Sequence, residues 1–114
     1  MSDCPFCRIV RREARADVVL EDDDVLAFRD VRPQAPVHLL IIPKRHVDSL
    51  AGAADGDAEL LGKLLLAARD LARREGIDAT GYRIVANRGR GAGQTVFHLH
   101  VHLLGGRAMG WPPG

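Results

Sequence analysis

The chain has 114 residues, enough to bury one core of ordinary size and too few for a second domain. Its 16 Lys and Arg against 15 Asp and Glu leave a formal net charge of +1, without the basic excess that a nucleic-acid-binding surface needs. No apolar run reaches the length of a membrane span and no signal-peptide pattern opens the sequence, so a cytoplasmic protein with reduced cysteines and no membrane partner is expected.

In chain order, the first feature is Cys4-Pro5-Phe6-Cys7, leading into a short helical turn. A C-x-x-C pair serves as a redox dithiol or as half of a zinc site. The redox use is disfavoured, because a thioredoxin-type motif follows a strand and this one does not. A zinc site would need two further ligands, and with no other cysteine they must be histidines or carboxylates. Residues 18–21 and 25–30 flank Asp22-Asp23-Asp24 and predict a hairpin. The three aspartates lack the spacing, glycine and distal Glu of a calcium loop and read as a solvated turn. Asp30 ends the second strand at a proline-marked loop, residues 31–36, where a carboxylate can serve as a ligand.

Residues 38–42 form a third strand whose unbroken apolar character suggests a central position, covered on both faces and stopped by Pro43. Between 55 and 75 the period changes: Leu61, Leu64, Leu65, Ala68, Leu71 and Ala72 recur at helical spacing, with Asp55 or Asp57 as cap and Gly76 as stop. Residues 82–87 predict a fourth strand. Then Gly89, Gly91 and Gly93 alternate with Arg88, Arg90 and Ala92. Such a loop is either a flexible connection or a nest of N–H groups for an anion; it is not a P-loop, since the Lys-Ser/Thr ending is missing. The two arginines, Thr95 and the histidines that follow favour phosphate.

Residues 97–104 alternate without a break, so a strand is expected with His98, His100 and His102 on one face and Phe97, Leu99, Val101 and Leu103 on the other. Same-face neighbours on a strand stand about 7 Å apart, too far for one metal to collect all three histidines. Chelation by His100 and His102 stays open as an alternative. Burying three imidazoles requires a partner for each ring nitrogen, which folding alone does not justify. Nucleophilic catalysis at phosphorus does use them: one ring nitrogen attacks while the other holds its proton, and neighbouring donors bind the phosphoryl oxygens. His100, flanked on both sides, is the natural nucleophile.

His98-Leu99-His100-Val101-His102-Leu103-Leu104 fits His-φ-His-φ-His-φ-φ, where φ is apolar, and the chain resembles the histidine-triad (HIT) family. The resemblance extends over Glu21-Asp22-Asp23, Leu26-Ala27-Phe28, Gln34-Ala35-Pro36, His38, Ile42-Pro43-Lys44, Asn87, Gly93-Gln94-Thr95, Gly105-Gly106-Arg107 and Trp111-Pro112-Pro113-Gly114. Its ending is similar to the Hint branch rather than the Fhit branch.

The resemblance implies one α+β domain over residues 1–114. It would hold a five-stranded antiparallel sheet, one long helix and a short N-terminal helix, joined to a copy in a ten-stranded homodimer. It implies a purine nucleoside phosphoramidate hydrolase in which His100 forms a nucleotidyl-histidine. His102 would bind the phosphate, with His38, Asn87 and Gly93-Gln94-Thr95 around it. Asp30 would take the ribose, and Phe6, Ile9, Phe28 and Val31 would wall the base. Cys4, Cys7, His46 and His98 would hold a structural zinc, with no cofactor needed for the chemical step. Residues 105–114, with Trp111, would reach the partner's site. A nucleotide-binding regulatory module and a dinucleoside polyphosphate hydrolase are the alternatives. Gly110 stands where relatives often carry a larger residue, which leaves the leaving group open.

Overall fold

In the computed structural model, which describes residues 4–114, the elements run α1 (Pro5–Val10), β1 (Val18–Glu21), β2 (Val25–Arg29), β3 (Val37–Pro43), α2 (Ala58–Arg74), β4 (Tyr82–Val85) and β5 (Val101–Gly105). The strands form one antiparallel sheet in the order β1-β2-β3-β5-β4. This is the expected α+β architecture of five strands, one long helix and a short N-terminal one.

Local chemistry explains the element ends. Pro5 opens α1, where its missing N–H costs nothing, and Cys4 Sγ accepts the Cys7 N–H at 3.3 Å. The Asp22 carboxylate accepts the N–H groups of Asp24 and Val25, both at 2.8 Å, so the acidic triplet is a hairpin turn. The long helix begins later than the pattern suggests, because residues Asp55–Asp57 form a single 3₁₀ turn ahead of it.

The two faces of the sheet carry different layers. Val25, Ala27, Leu39, Ile41, Val101 and Leu103 pack beneath α2 against Leu64, Ala67, Ala68, Leu71 and Ala72. Leu26, Phe28, Leu40 and Ile42 face the other way, onto Cys4, Phe6 and Cys7 of the N-terminal segment. Strand β3 is thus covered on both sides, as its apolar run requires. Leu65, expected in the helix stripe, is instead 51% exposed, because the buried arc is centred on Leu64, Ala68 and Leu71 and Leu65 falls outside it. No helix among the described residues is long and apolar enough to cross a membrane.

The histidine segment departs from expectation in an informative way. Its ladder with β3 ends at the Ile41–Val101 pair, and β5 begins only at Val101, so His98 and His100 lie before the strand. Two positions further on, past Ile42 opposite His100, the same register would set Leu99 opposite Pro43, which has no N–H to give. Leu99 donates instead to the Val47 carbonyl at 2.6 Å, and the His98 ring takes the Pro43 carbonyl at 2.8 Å. The alternation survives without the ladder: Leu99, Val101 and Leu103 still enter the helix-side core. Strand β4 likewise stops at Val85, short of Asn87.

Strand β5 ends against the loop that follows α2. A Cβ placed on Gly105 would meet Ile77 Cδ1 at 2.5 Å and Ile77 Cβ at 3.1 Å. Gly105→Ala is therefore expected to destabilise the protein by about 1–3 kcal/mol in denaturant unfolding. An unchanged midpoint would show that Ile77 yields freely.

Candidate active site

The imidazoles are ordered by groups that can only donate or only accept. The Gln34 N–H donates to His38 Nδ1 at 3.0 Å, so His38 carries its proton on Nε2. That Nε2–H faces His102 Nδ1 at 2.9 Å and Asp30 Oδ2 at 3.4 Å. His102 Nδ1 is then an acceptor, and its own proton sits on Nε2. Among the described residues, His102 Nε2 is buried with no hydrogen-bond partner. His100 has the opposite tautomer: Nδ1–H donates to the His98 carbonyl at 2.7 Å, which leaves the lone pair on Nε2. The two rings lie 5.0 Å apart. A nucleophilic nitrogen and an unsatisfied donor thus stand side by side.

Burial, reinforced by the neighbouring His100 and His38, pushes the His102 imidazole down to about 4. Burial also lowers His38, against the opposing pull of Asp30. Both rings are therefore neutral near pH 7, which the tautomer chain requires.

His100 and His102 line a cleft of about 420 Å³. Phe6, Ile9, Phe28 and Val31 give it apolar walls, and Asp30, Thr95, His100 and His102 add polar groups to its lining. The Phe6 ring stands edge-on to both Phe28 and His100, with centroids 5.3 and 5.2 Å away. The structure gathers these predicted residues in one place, with His38 directly behind them. It does not bring Asn87, Gly93, Gln94 or Trp111 into the cleft lining. Gln94 is buried and braces its own loop, bonding the Gly89 N–H and the carbonyls of Asp48 and Val96. Trp111 is 84% exposed. The glycine loop uses the N–H groups of Gly89, Ala92, Gly93 and Gln94 within its own turn, so these are not available as an anion nest. Sequence reasoning missed Arg15 and Arg32, which also line the cleft, and the Gln34 backbone donor; no periodic signal marks any of the three.

A second cluster adjoins the first. Cys4 Sγ lies 3.3 Å and Cys7 Sγ 3.6 Å from His98 Nδ1, and Cys7 Sγ lies 3.2 Å from His46 Nδ1. All four ligand atoms fall within 4.8 Å of one another. Tetrahedral zinc with bonds of about 2.0–2.3 Å sets its ligand atoms roughly 3.3–3.8 Å apart, so the spacing fits. The protons also fit. His98 Nε2–H is held by the Pro43 carbonyl and His46 Nε2–H by the Asp48 carboxylate at 2.7 Å, which turns both Nδ1 lone pairs toward the sulfurs. These four residues could hold a metal ion. Among the described residues, Asp30, His38 and His102 form the other group with ligand atoms this close, and His100 is not in it.

The HIT domain family matches residues 11–109. The chain belongs to the HIT domain family. An uncharacterized HIT-like protein of Synechococcus elongatus is 55% identical over 112 residues, covering 98% of this chain and 97% of that one. The crystal structure of a HIT family hydrolase from Legionella pneumophila superposes with a TM-score of 0.96 at 54% identity, covering 98% of this chain and all (100%) of the other. A histidine triad nucleotide-binding protein from Candida albicans gives a TM-score of 0.83 at 32% identity, over 96% of this chain and 83% of that one. The HIT signature accounts for the alternating histidines. Their different surroundings divide them, with His98 facing the thiols and His100 and His102 facing the cleft.

A pH dependence follows from the neutral rings. Unfolded imidazoles take up protons below about 6.5, whereas folded His102 does so only near 4. The unfolded state therefore binds more protons in that window, and stability falls as pH falls through it. The denaturation midpoint should be level above pH 7 and decline between pH 6.5 and 4, less steeply in His102→Asn. Equal slopes would remove His102 as the source.

Proposed function

We propose that this HIT protein is a hydrolase that cleaves purine nucleoside phosphoramidates through a nucleotidyl-histidine intermediate. The observation that carries this reading is the pairing of the His100 Nε2 lone pair with the unsatisfied His102 Nε2–H in the lining of the cleft. A phosphoryl group presents what both need: an electrophilic phosphorus for His100 and an anionic oxygen for His102. His100 Nε2 forms a bond to the α-phosphorus, the P–N bond to the amine breaks, and the amine leaves after taking up a proton. Water then splits the nucleotidyl-histidine, giving a nucleoside monophosphate and restoring His100. The His100 Nδ1–H bond to the His98 carbonyl stabilises the charge the ring gains on attack. The Gln34–His38–His102 chain keeps the phosphate donor in the correct tautomer.

The rest of the cleft supports a nucleotide. The apolar walls suit a purine face, and Asp30 can accept the ribose hydroxyls. The names of the Legionella and Candida relatives, hydrolase and nucleotide-binding protein, agree with this assignment. A zinc ion in the Cys4, Cys7, His46 and His98 cluster would have no open coordination position, so it would order the N-terminal segment and take no part in the bond-breaking step. Reduced thiols at such a site suit the cytoplasm.

A homodimer completes the proposal. Strand β4 is a sheet edge with exposed Tyr82 and Ile84, and α2 exposes Leu65 and Leu66. Pairing β4 with its copy would satisfy the edge and make a ten-stranded sheet. The exposed Trp111 then has a neighbouring site to reach.

Release of AMP from an adenosine 5′-phosphoramidate of an aromatic amine tests the reaction. His100→Ala should reduce turnover by about a thousandfold or more while AMP still binds. Near wild-type turnover in the variant would end the nucleophile assignment, and no turnover by wild type that binds AMP would favour a regulatory binding module. Cys4→Ser should lower zinc content and Tm together. Native protein with no zinc, and a Tm indifferent to chelators, would exclude the metal.

A further inference from the structure

We infer that the Cys4, Cys7, His46 and His98 cluster, when metal-loaded, positions the reacting imidazole and one wall of the cleft, and so controls nucleotide affinity as well as stability. The inference rests on the reading of the cleft as a nucleotide site.

Two connections run from the cluster to the cleft. The first passes through His98. Its ring Nδ1 faces both sulfurs, and its own carbonyl accepts the His100 Nδ1–H at 2.7 Å. Within a strand, a sheet ladder would hold such a carbonyl in place. Here the ladder ends at Val101, and the His98–Leu99 peptide is held by the Leu99 N–H bond to the carbonyl of Val47, the residue after His46, and by the fully buried His98 ring, through the thiols on one nitrogen and the Pro43 carbonyl on the other. The cluster, through His98 and through His46 next to Val47, thereby shares with that backbone bond the work a ladder does elsewhere, and it helps fix the acceptor that leaves the His100 lone pair on Nε2.

The second connection passes through Phe6, which lies between the two cysteines. Its ring stands edge-on to His100 at 5.2 Å and 86°, and it lines the cleft. Helix α1 has only 6 residues and is too short to hold its own shape, so the anchoring of Cys4 and Cys7, together with the packing of Phe6 on Phe28, sets where Phe6 sits. Loss of the metal would remove one anchor from the acceptor and one from the wall together. A purely structural metal would change the melting point and leave both alone.

His46 allows a clean test, since it binds Cys7 at 3.2 Å but does not line the cleft. Three readouts are taken well below the melting point: zinc content, the Kd for AMP by calorimetry, and the ¹⁵N spectrum of the His100 ring at pH 8. Zinc-loaded wild type should show the Nδ1–H tautomer. His46→Ala and chelator-stripped wild type should lose zinc and show a mixture of tautomers. Their Kd should rise about tenfold, the scale of one lost contact. His46→Cys, which keeps a Cys₃His set, should restore both properties. An unchanged tautomer and Kd in folded metal-free protein would overturn the proposal. So would wild type that binds no zinc, or global unfolding of both metal-free forms, which would assign the cluster to stability alone. If AMP fails to bind even zinc-loaded wild type, the nucleotide reading falls, and the His100 spectrum still decides the positioning role.

Discussion

Much of this site follows from one missing hydrogen-bond donor. Proline at position 43 cannot extend the β3–β5 ladder, so pairing stops at Val101 and the chain before it is free to take another course. The Pro43 carbonyl then accepts from the ring of His98, and the His98 carbonyl accepts from the ring of His100. Both interactions use backbone acceptors at the point where the sheet ends. Consecutive same-face histidines can therefore have different jobs, one turned to a pair of thiols and the next to a cleft.

The tautomer order is the second determinant. A backbone N–H at Gln34 can only donate, which assigns the protons of His38 and His102, and a carbonyl at His98 can only accept, which assigns that of His100. The rings receive their asymmetry from the main chain, which does not titrate. Burial keeps His38 and His102 neutral, so the order holds at physiological pH. A protein that relied on imidazolium to bind an anion would have the stronger charge but would lose this ordering.

Sequence periodicity showed most of the architecture, because periods of 2 and 3.6 and the Pro and Gly stops are local properties. The hairpin at Asp22, the doubly covered β3 and the long helix were all legible in this way. What escaped depends on tertiary register. That Pro43 would stand opposite Leu99 cannot be read before β3 and β5 are aligned. Whether Leu65 or Ala67 faces the core depends on the rotation of α2, which two adjacent leucines leave ambiguous. In the candidate site, the cysteines and histidines announced themselves by type and spacing. Arg15 and Arg32 did not, since an arginine in a polar loop carries no signal of what it lines. The glycine loop misled for a related reason: alternating glycines show that N–H groups could be offered to an anion, but not that the loop has already used them on itself.

The division of the sheet into two faces bears on how such a protein can change. On the α2 side, Leu64, Ala68 and Leu71 meet Leu39, Ile41 and Leu103 in a closed apolar layer. On the opposite side, the cleft is walled partly by residues such as Ile9, Ala16 and Val31 that are not part of the helix-side core. Substitutions on the two sides share few neighbours, and their effects should combine nearly independently. Lineages, or engineers, can thus reshape the cleft for a different ligand while the layer under the long helix preserves the fold.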